Sequence, residues 1–461
     1  MKAVLPVFDE NRSKPYYLQL YEYLKKSILN GDVAENEKLP SLRNLAKSTG
    51  LSITTIEQAY NQLLVEGYIR SKPQSGYYVA RVFSHPGQTV PAASDILYAE
   101  VFPHDGDGGS SLPEMLFDPE CFDFNKWKKC MNKILTEYSH TLFFESNPQG
   151  EPGLRAELTK YLLTARGVSC SPEQIVIGAG TQQITNQLAT LLKKLGIEHV
   201  AFETPGYLPV RNAFRDRGFA ITPVSVAEDG PAIEKLPANI STAAYVSPSN
   251  NTFTGSIMPI GRRYQLLNWA AANDSYIIED DYDSELRYFG RPIPSLKSLD
   301  SDERVVYLGS FSSTLFAAVK ISYMVLPSRM TEAFSEMAGD YSQTCSKLEQ
   351  LTLATFMEMG YYQTHIKKLR KLYSQKLNAV IEAFNSRGTG FVHVKNKSSG
   401  VNITVSVETH KSPEQLKRDA ESVGIPSIHI TNPSSLILYY NQIPLKDISQ
   451  TITRLLELWS S

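Results

Sequence analysis

Apolar side chains recur at helical spacing from the start of the chain. In YYLQLYEYLKKSILNG, Tyr17, Leu20, Tyr21, Leu24 and Ile28 share one helical face, and Gly31 supplies a stop. Pro40 and Ser41 can open a short second helix with Leu42, Leu45 and Ala46 inward, ended by Gly50. Ser52 is an N-cap for a third helix, whose inner face is Ile56, Ala59, Tyr60, Leu63 and Leu64. Two short helices across a tight turn predict a helix-turn-helix. The stretch YIRSKPQSGYYVAR then reads as two strands around a turn containing Pro73 and Gly76, a wing on the helical unit.

The pattern changes twice more. From Val82 to Ser111 the chain is rich in Pro, Gly, Ser and Ala and has no period, which predicts a linker, with DILYAEVF as a short strand inside it. From Leu112 onward, strand-like runs alternate with helical ones. QIVIGAG precedes TQQITNQLATLLKKLG, HVAFETPGY precedes LPVRNAFRDRG, and AAYVSPSN precedes RRYQLLNWAAAND. SYIIEDDYDSE and RVVYLGSFSS are further apolar strands that end in polar loops. This alternation predicts an α/β body with a mostly parallel sheet. The expected organisation is a head at 1–81, a linker at 82–111 and a body at 112–461. The body divides further into a large part at about 112–345 and a small part at about 346–461.

Composition narrows the class. A chain of 461 residues has room for two to four domains at roughly 150 residues each. No apolar run reaches the ~18 residues of a membrane span, and MKAVLPVFDENRSK does not read as a signal peptide. The four cysteines fit neither a metal-ligand spacing nor a disulfide framework, so free thiols in a reducing cytoplasm are expected. The eight histidines are scattered, and no metal site is expected. Residues 1–81 hold 11 Lys and Arg against 8 Asp and Glu, whereas the remainder holds 35 against 40. A mildly basic head on a mildly acidic body points to a polyanionic partner for the head.

The head carries chemistry suited to that partner. Ser52, Thr54 and Thr55, in the first turn of the third helix, are short hydrogen-bonding side chains sized for phosphates and base edges in a major groove. Arg70 and Lys72 on the wing are available to backbone phosphates. The strings KLPSLRNLA, SITTIEQAY and LLVEGYI closely resemble the winged-helix head of GntR-type regulators, whose usual form is like KLPSERELA…SRTTVREAL…L…EG. The resemblance implies Arg43, Ser52, Thr54, Thr55 and Gly76 as DNA-contact positions and double-stranded operator DNA as partner. Where the family commonly has arginine after the serine, this chain has Ile53, which removes one charged contact.

The polar clusters of the body fall after successive strands, where ligands sit in parallel sheets. Gly180, Thr181 and Gln182 open a helix with a small-residue loop, a natural phosphate cradle. Ser310 and Ser312 are hydroxyl donors and Lys320 is a cation. Asp280 could keep a ring nitrogen protonated, and Tyr282 would point to the same side of an extended chain. Tyr207, after Pro205-Gly206, could stack on a flat ring. With NPQGEPGLRAELTKYLLTARGVSCSPEQIVIGAGTQQ, ETPGY, YVSPSN…TG, IIEDDYDSELRYFGRPIPSL and VVYLGSFSSTLF, the body resembles a fold-type I aminotransferase dependent on pyridoxal 5'-phosphate. Head and body together resemble the MocR subfamily of GntR regulators. The resemblance implies that Tyr207 stacks on the cofactor ring, Asp280 pairs with the pyridine nitrogen and Tyr282 with the phenolic oxygen. It gives the phosphate to Gly180, Thr181, Gln182, Ser310 and Ser312.

Three departures strike the chemistry of that site. The family pattern is like SFSKTLFPALRxGY, and its lysine forms the Schiff base. Ser313 stands there, and a hydroxyl can neither form an imine nor act as the amine base. The phosphate-clamping arginine is replaced by Lys320, which keeps the charge but loses the fork. The arginine of LRLGFA, which takes a substrate carboxylate, is replaced by Ile437. The family's SHQFPTG is also changed, to SNNTFTG, Ser249 to Gly255.

These features predict a cytoplasmic DNA-binding regulator whose aminotransferase-like body dimerises and senses a small molecule without catalysing transamination. Any pyridoxal phosphate would be bound non-covalently, through Asp280, Tyr207 and the phosphate cradle, with Ser313 and Lys320 beside it. Two alternatives are an aminotransferase with an accessory DNA-binding head and a purely structural DNA-binding dimer.

Overall fold

The computed structural model describes residues 14–73, 75–81, 121–227, 229–251, 257–282, 284–288, 293–388, 390–395, 400–429 and 435–460. The expected linker and its DILYAEVF strand lie outside the described residues. The chain divides into two compact units on either side of Gly108.

The first unit is made by local signals. Helices α1 (Tyr16–Leu29), α2 (Leu42–Thr49) and α3 (Ile53–Val65) are followed by an antiparallel hairpin, β1 (Ile69–Lys72) and β2 (Gly76–Val79). The Ser41 hydroxyl accepts the Asn44 N–H at 3.2 Å, and the Ser52 hydroxyl accepts the Thr55 N–H at 3.1 Å, so each helix of the helix-turn-helix starts on a serine cap. Gly50 closes α2 in the left-handed conformation, at φ 75°, where a side chain would be strained. Leu20, Leu24, Leu45, Ile56, Tyr60 and Leu63 are in the core, with Leu42, Ala46 and Leu64 half-buried against it, while Tyr17 is half-buried but not packed on it. The Tyr60 hydroxyl donates to the Pro40 carbonyl at 3.0 Å and so ties α3 to the start of α2.

The second unit is layered. Its large sheet contains β3 (Ile175–Ala179), β4 (His199–Thr204), β5 (Ala220–Ala227), β6 (Gly230–Pro231), β7 (Thr242–Val246), β8 (Tyr276–Asp280), β9 (Val305–Ser310) and β10 (Ile321–Val325). The spatial order is β3-β10-β9-β8-β7-β4-β5-β6. The run β9-β8-β7-β4-β5 is parallel. Strand β10 runs antiparallel to both β9 and β3, and β6 antiparallel to β5. Strands β3, β4, β7, β8, β9 and β10 are covered on both faces, which is why they read as apolar runs, whereas β5 is largely exposed. Ile175 and Ile177 enter one core and Val176 the opposite one, following the period of two.

Helices α4 (Phe124–Glu137), α5 (Pro152–Arg166), α6 (Thr181–Lys194), α7 (Leu208–Asp216), α8 (Ile260–Ala272), α9 (Leu296–Leu299), α10 (Ser328–Ala338) and α11 (Lys347–Glu358) belong to this part. The long α12 (Tyr361–Arg387) leads to a second sheet, β11 (Val392–Val394), β12 (Asn402–Val407), β13 (Ser427–His429) and β14 (Ser435–Tyr439). That sheet is antiparallel throughout, in the order β11-β12-β14-β13. With α12, α13 (Pro413–Ser422) and α14 (Ile448–Ser460) it encloses a core that includes Leu377, Phe384, Ile403, Leu436, Leu455 and Trp459. Ile437 is wholly buried in β14, packed with Leu286, Leu369 and Tyr373, so its side chain faces a core.

All four cysteines are free thiols, with Cys130 and Cys345 buried and Cys121 and Cys170 half-buried. Among the described residues no helix is long and apolar enough to cross a membrane, and no cluster of His, Cys, Asp and Glu could hold a metal ion.

Candidate ligand cleft and nucleic-acid interface

In the head, the start of α3 offers a compact set of exposed groups. Ser52 and Thr54 are exposed and Thr55 is half-buried. Capping occupies the Ser52 hydroxyl, which also lies 2.8 Å from Thr55 Oγ1. Ile53 is 48 % exposed, an apolar side chain at the first helical position with no core to enter. Arg43 is exposed on α2. On the wing, Arg70 donates to the Asn36 side-chain oxygen, and the Lys72 ammonium sits 4.4 Å from the centre of the Tyr78 ring. Both cations are thereby held in place. Gly76 has φ +105° and pairs with Lys72 across the hairpin, a backbone conformation that favours glycine.

In the body, topology gathers the sequence-singled residues at one sheet edge. Strands β3, β4, β7, β8 and β9 all end there, and the antiparallel β10 begins there. Gly180 and Thr181 follow β3, Tyr207 follows β4, Asp280 ends β8, Ser310 ends β9, and Lys320 precedes β10. Gly180 caps α6 with φ +86°, and Gln182 is exposed in the first turn. Tyr282 lies in a turn beyond β8, so the period-of-two argument that aligned it with Asp280 does not hold past the strand end. Its backbone N–H instead serves the Asp280 carboxyl.

Glu279 and Asp281 are buried and Asp280 half-buried, where an acidic loop would ordinarily be solvated. Glu279 is fully buried and accepts the Leu296 and Lys297 N–H groups at 2.7 and 2.8 Å, at the start of α9. Asp281 takes a two-pronged contact from Arg166, at 2.6 and 3.0 Å, and the Tyr307 hydroxyl at 2.5 Å. Burial penalises the Asp281 charge, but Arg166 and the hydroxyls around it outweigh that and hold its carboxyl below the usual range. Between these two, Asp280 receives the Tyr245 hydroxyl. Burial pushes the Asp280 carboxyl up to about 6, with the Asp281 charge adding to the effect. Tyr207, 46 % exposed, is raised by partial burial and then by the Asp280 charge. Glu203, below them on β4, accepts the Ser247 N–H at 3.1 Å and the Asn251 amide at 3.0 Å. Burial pushes it up to about 8.

At the other end, a chain of hydroxyls runs from β9 across β10 to the start of α6. Ser322 lies opposite Gly178 on one side and Ser310 on the other. Its hydroxyl donates to Ser310 Oγ at 3.0 Å and lies 3.5 Å from Thr181 Oγ1, while the Ser312 N–H also donates to Ser310 Oγ at 3.3 Å. Ser313 is buried, and its hydroxyl has no hydrogen-bond partner among the described residues. Lys320 is exposed and holds the left-handed conformation at φ +45°.

Sequence reasoning missed Arg166, Glu203, Tyr245 and Ser322. For Ser322 a signal existed, because the pattern SFSKTLFPALRxGY has glycine at that position. Tyr245 was hidden in an apolar strand.

Two family models match the chain. Residues 16–79 match the bacterial regulatory proteins of the gntR family, and residues 114–420 match aminotransferase class I and II. The probable rhizopine catabolism regulatory protein MocR of Rhizobium meliloti is 30 % identical over 434 residues, covering 91 % of this chain and 87 % of its own length. The chain belongs to the MocR-like group of GntR-family regulators. Its similarity to the uncharacterized HTH-type transcriptional regulator YdeL of Bacillus subtilis (strain 168) is 36 % identity, over 97 % of this chain and 94 % of the relative. Among solved structures, a kynurenine aminotransferase of Pyrococcus horikoshii, in complex with PMP, shares the body fold. The TM-score is 0.65 at 23 % identity, over 76 % of this chain and 90 % of the other. A MocR-like chain therefore joins a GntR winged helix to a fold-type I aminotransferase body, as the sequence predicts.

Proposed function

We propose that this MocR-like regulator binds operator DNA through its winged head, works in the cytoplasm as a homodimer, and senses a small molecule held non-covalently in the body cleft. The observation that carries the reading is Ser313. A buried, unpartnered hydroxyl stands at the place where this fold keeps its amine, beside an otherwise dense polar site. A hydroxyl has no route to an imine and no proton-shuttling base strength, so the cleft recognises its ligand and does not turn it over.

The arrangement agrees with pyridoxal phosphate only in part. Asp280 would face a ring nitrogen, Tyr207 would stack on the ring and Tyr282 would reach its phenolic oxygen. Gly180, Thr181, Gln182, Ser310 and Ser312 would lie at the phosphate end, with Ser313 and Lys320 alongside. When bound to an amine, that cofactor supplies an electron sink. Without an amine at position 313, the residues do not fit a cofactor attached covalently there, and no catalytic step is assigned to them. In the head, α3 would enter the major groove with Ser52, Thr54 and Thr55, Arg43 and Gly76 nearby. Arg70 and Lys72 would flank it on phosphates, and a dimer would present two such heads to two half-sites.

Selection of a duplex from a randomised pool by the full chain, followed by gel-shift titration and an amino-donor turnover assay with pyridoxal 5'-phosphate, tests this reading. A saturable, sequence-selective shift with no turnover is expected. Sustained turnover would overturn it in favour of an aminotransferase with an accessory head.

A further inference from the structure

The phosphate end of the cleft is the part most altered. Thr181 and Ser310 are the hydroxyls that would face a phosphate, and a phosphate oxygen would sit within hydrogen-bond reach of both. The Ser322 oxygen is already within reach of both, 3.0 Å from Ser310 and 3.5 Å from Thr181. Ser322 is only 1 % exposed, so this hydroxyl is part of the packed sheet and not a mobile surface group. The Ser312 N–H is turned onto Ser310 as well. Ser310 therefore already accepts from two neighbours, and a phosphate would have to displace those contacts and the Ser322 hydroxyl to engage it.

Charge points the same way. A phosphate dianion at a buried site needs cations. The lysine and the arginine of the pattern SFSKTLFPALRxGY are Ser313 and Lys320 here, and Lys320 is exposed and lacks a planar fork. Arg166 is committed to Asp281. The ring end, by contrast, keeps carboxyls at Asp280, Asp281 and Glu203. A desolvated carboxyl such as Asp280 favours a ligand that brings a proton or a positive charge.

We infer that the cleft is specific for a planar nitrogen heterocycle that carries no phosphate, with Ser322 closing the phosphate subsite. The ring nitrogen faces Asp280, the ring lies against Tyr207, and the free Ser313 hydroxyl serves a polar substituent. This rests on the reading of the body as a non-covalent sensor.

The test uses pyridoxine and its 5'-phosphate ester, neither of which has an aldehyde to react with surface lysines. Each is titrated by calorimetry into the full chain and into two variants, Ser322→Gly and Ser322→Ala. The expected result is that the wild-type chain binds pyridoxine at least as tightly as the ester. Both variants should then shift the ratio toward the ester, by about tenfold in Ser322→Gly. Ser322→Ala keeps the Cβ within the strand and guards against a folding artefact in the glycine variant. A wild-type preference for the ester, a ratio unmoved in both variants, or no binding of either compound overturns the inference. A gel shift with the same preparation reads the DNA-binding function separately, so failure of the ligand class is distinct from failure of the regulator.

Discussion

The Tyr245 hydroxyl donates to the Asp280 carboxylate at the end of β8, from the neighbouring parallel strand β7. This contact favours the charged carboxylate and opposes the larger effect of burial, which still leaves Asp280 raised to about 6. Tyr245→Phe removes the donor, so the Asp280 carboxyl should titrate above its wild-type value. A carbon-detected NMR titration of the labelled side chain would read the shift, and an unchanged or lowered value would show that the hydroxyl does not tune this group.

Glu203 makes the stability of the body depend on pH. Its ordinary value of 4.5 is raised to about 8 by burial, so between those values the folded protein holds a proton that the unfolded chain has released. Stability therefore falls as pH rises through this window. Glu203→Gln mimics the protonated form and should flatten that slope, so that the variant melts a few degrees above the wild type at pH 8 and close to it at pH 5. Thermal melts at the two pH values check the sign.

Arg166 and Asp281 form a buried pair, with the guanidinium also 3.1 Å from Ser249. Arg166→Met leaves Asp281 uncompensated in a dry site, and the cost should be about 3–5 kcal/mol. Asp281→Asn in the same background should recover part of it. Chemical denaturation of the three chains measures both values.

Ile53 is exposed at the start of α3, where the head is proposed to meet DNA. Ile53→Arg adds a cation at an exposed position at the start of α3. Affinity for non-specific duplex should rise, and the slope of log K against log salt should steepen by about 1. Ser52→Ala, which removes the cap, should instead destabilise the head by about 1 kcal/mol.

The head was legible because its signals are local. Ser41, Gly50 and Ser52 each act within a few residues, and their caps are found where the sequence puts them. Strands β3, β4, β7, β8 and β9 were legible as apolar runs because both their faces are covered, whereas β5, β6 and β10 were not read, β5 being largely exposed. The site was legible only where residues follow strand ends. What Glu203 and Arg166 do depends on Ser247, Asn251 and Asp281, which are far away in sequence and brought close by the order of the strands. Arg70 reads as a free wing cation, yet Asn36 holds it through a contact no spacing rule contains. Ile437 reads as a lost ligand-binding position, yet its side chain belongs to a core.

The central claim is that the cleft has left covalent amine chemistry. The most direct measurement is borohydride reduction of the full chain after incubation with pyridoxal and, separately, with pyridoxal 5'-phosphate, followed by peptide mass mapping across Val305–Pro327. The account predicts no reduced adduct within that segment. An adduct on Lys320, formed in stoichiometric yield, would contradict it and show that the imine had moved along the chain.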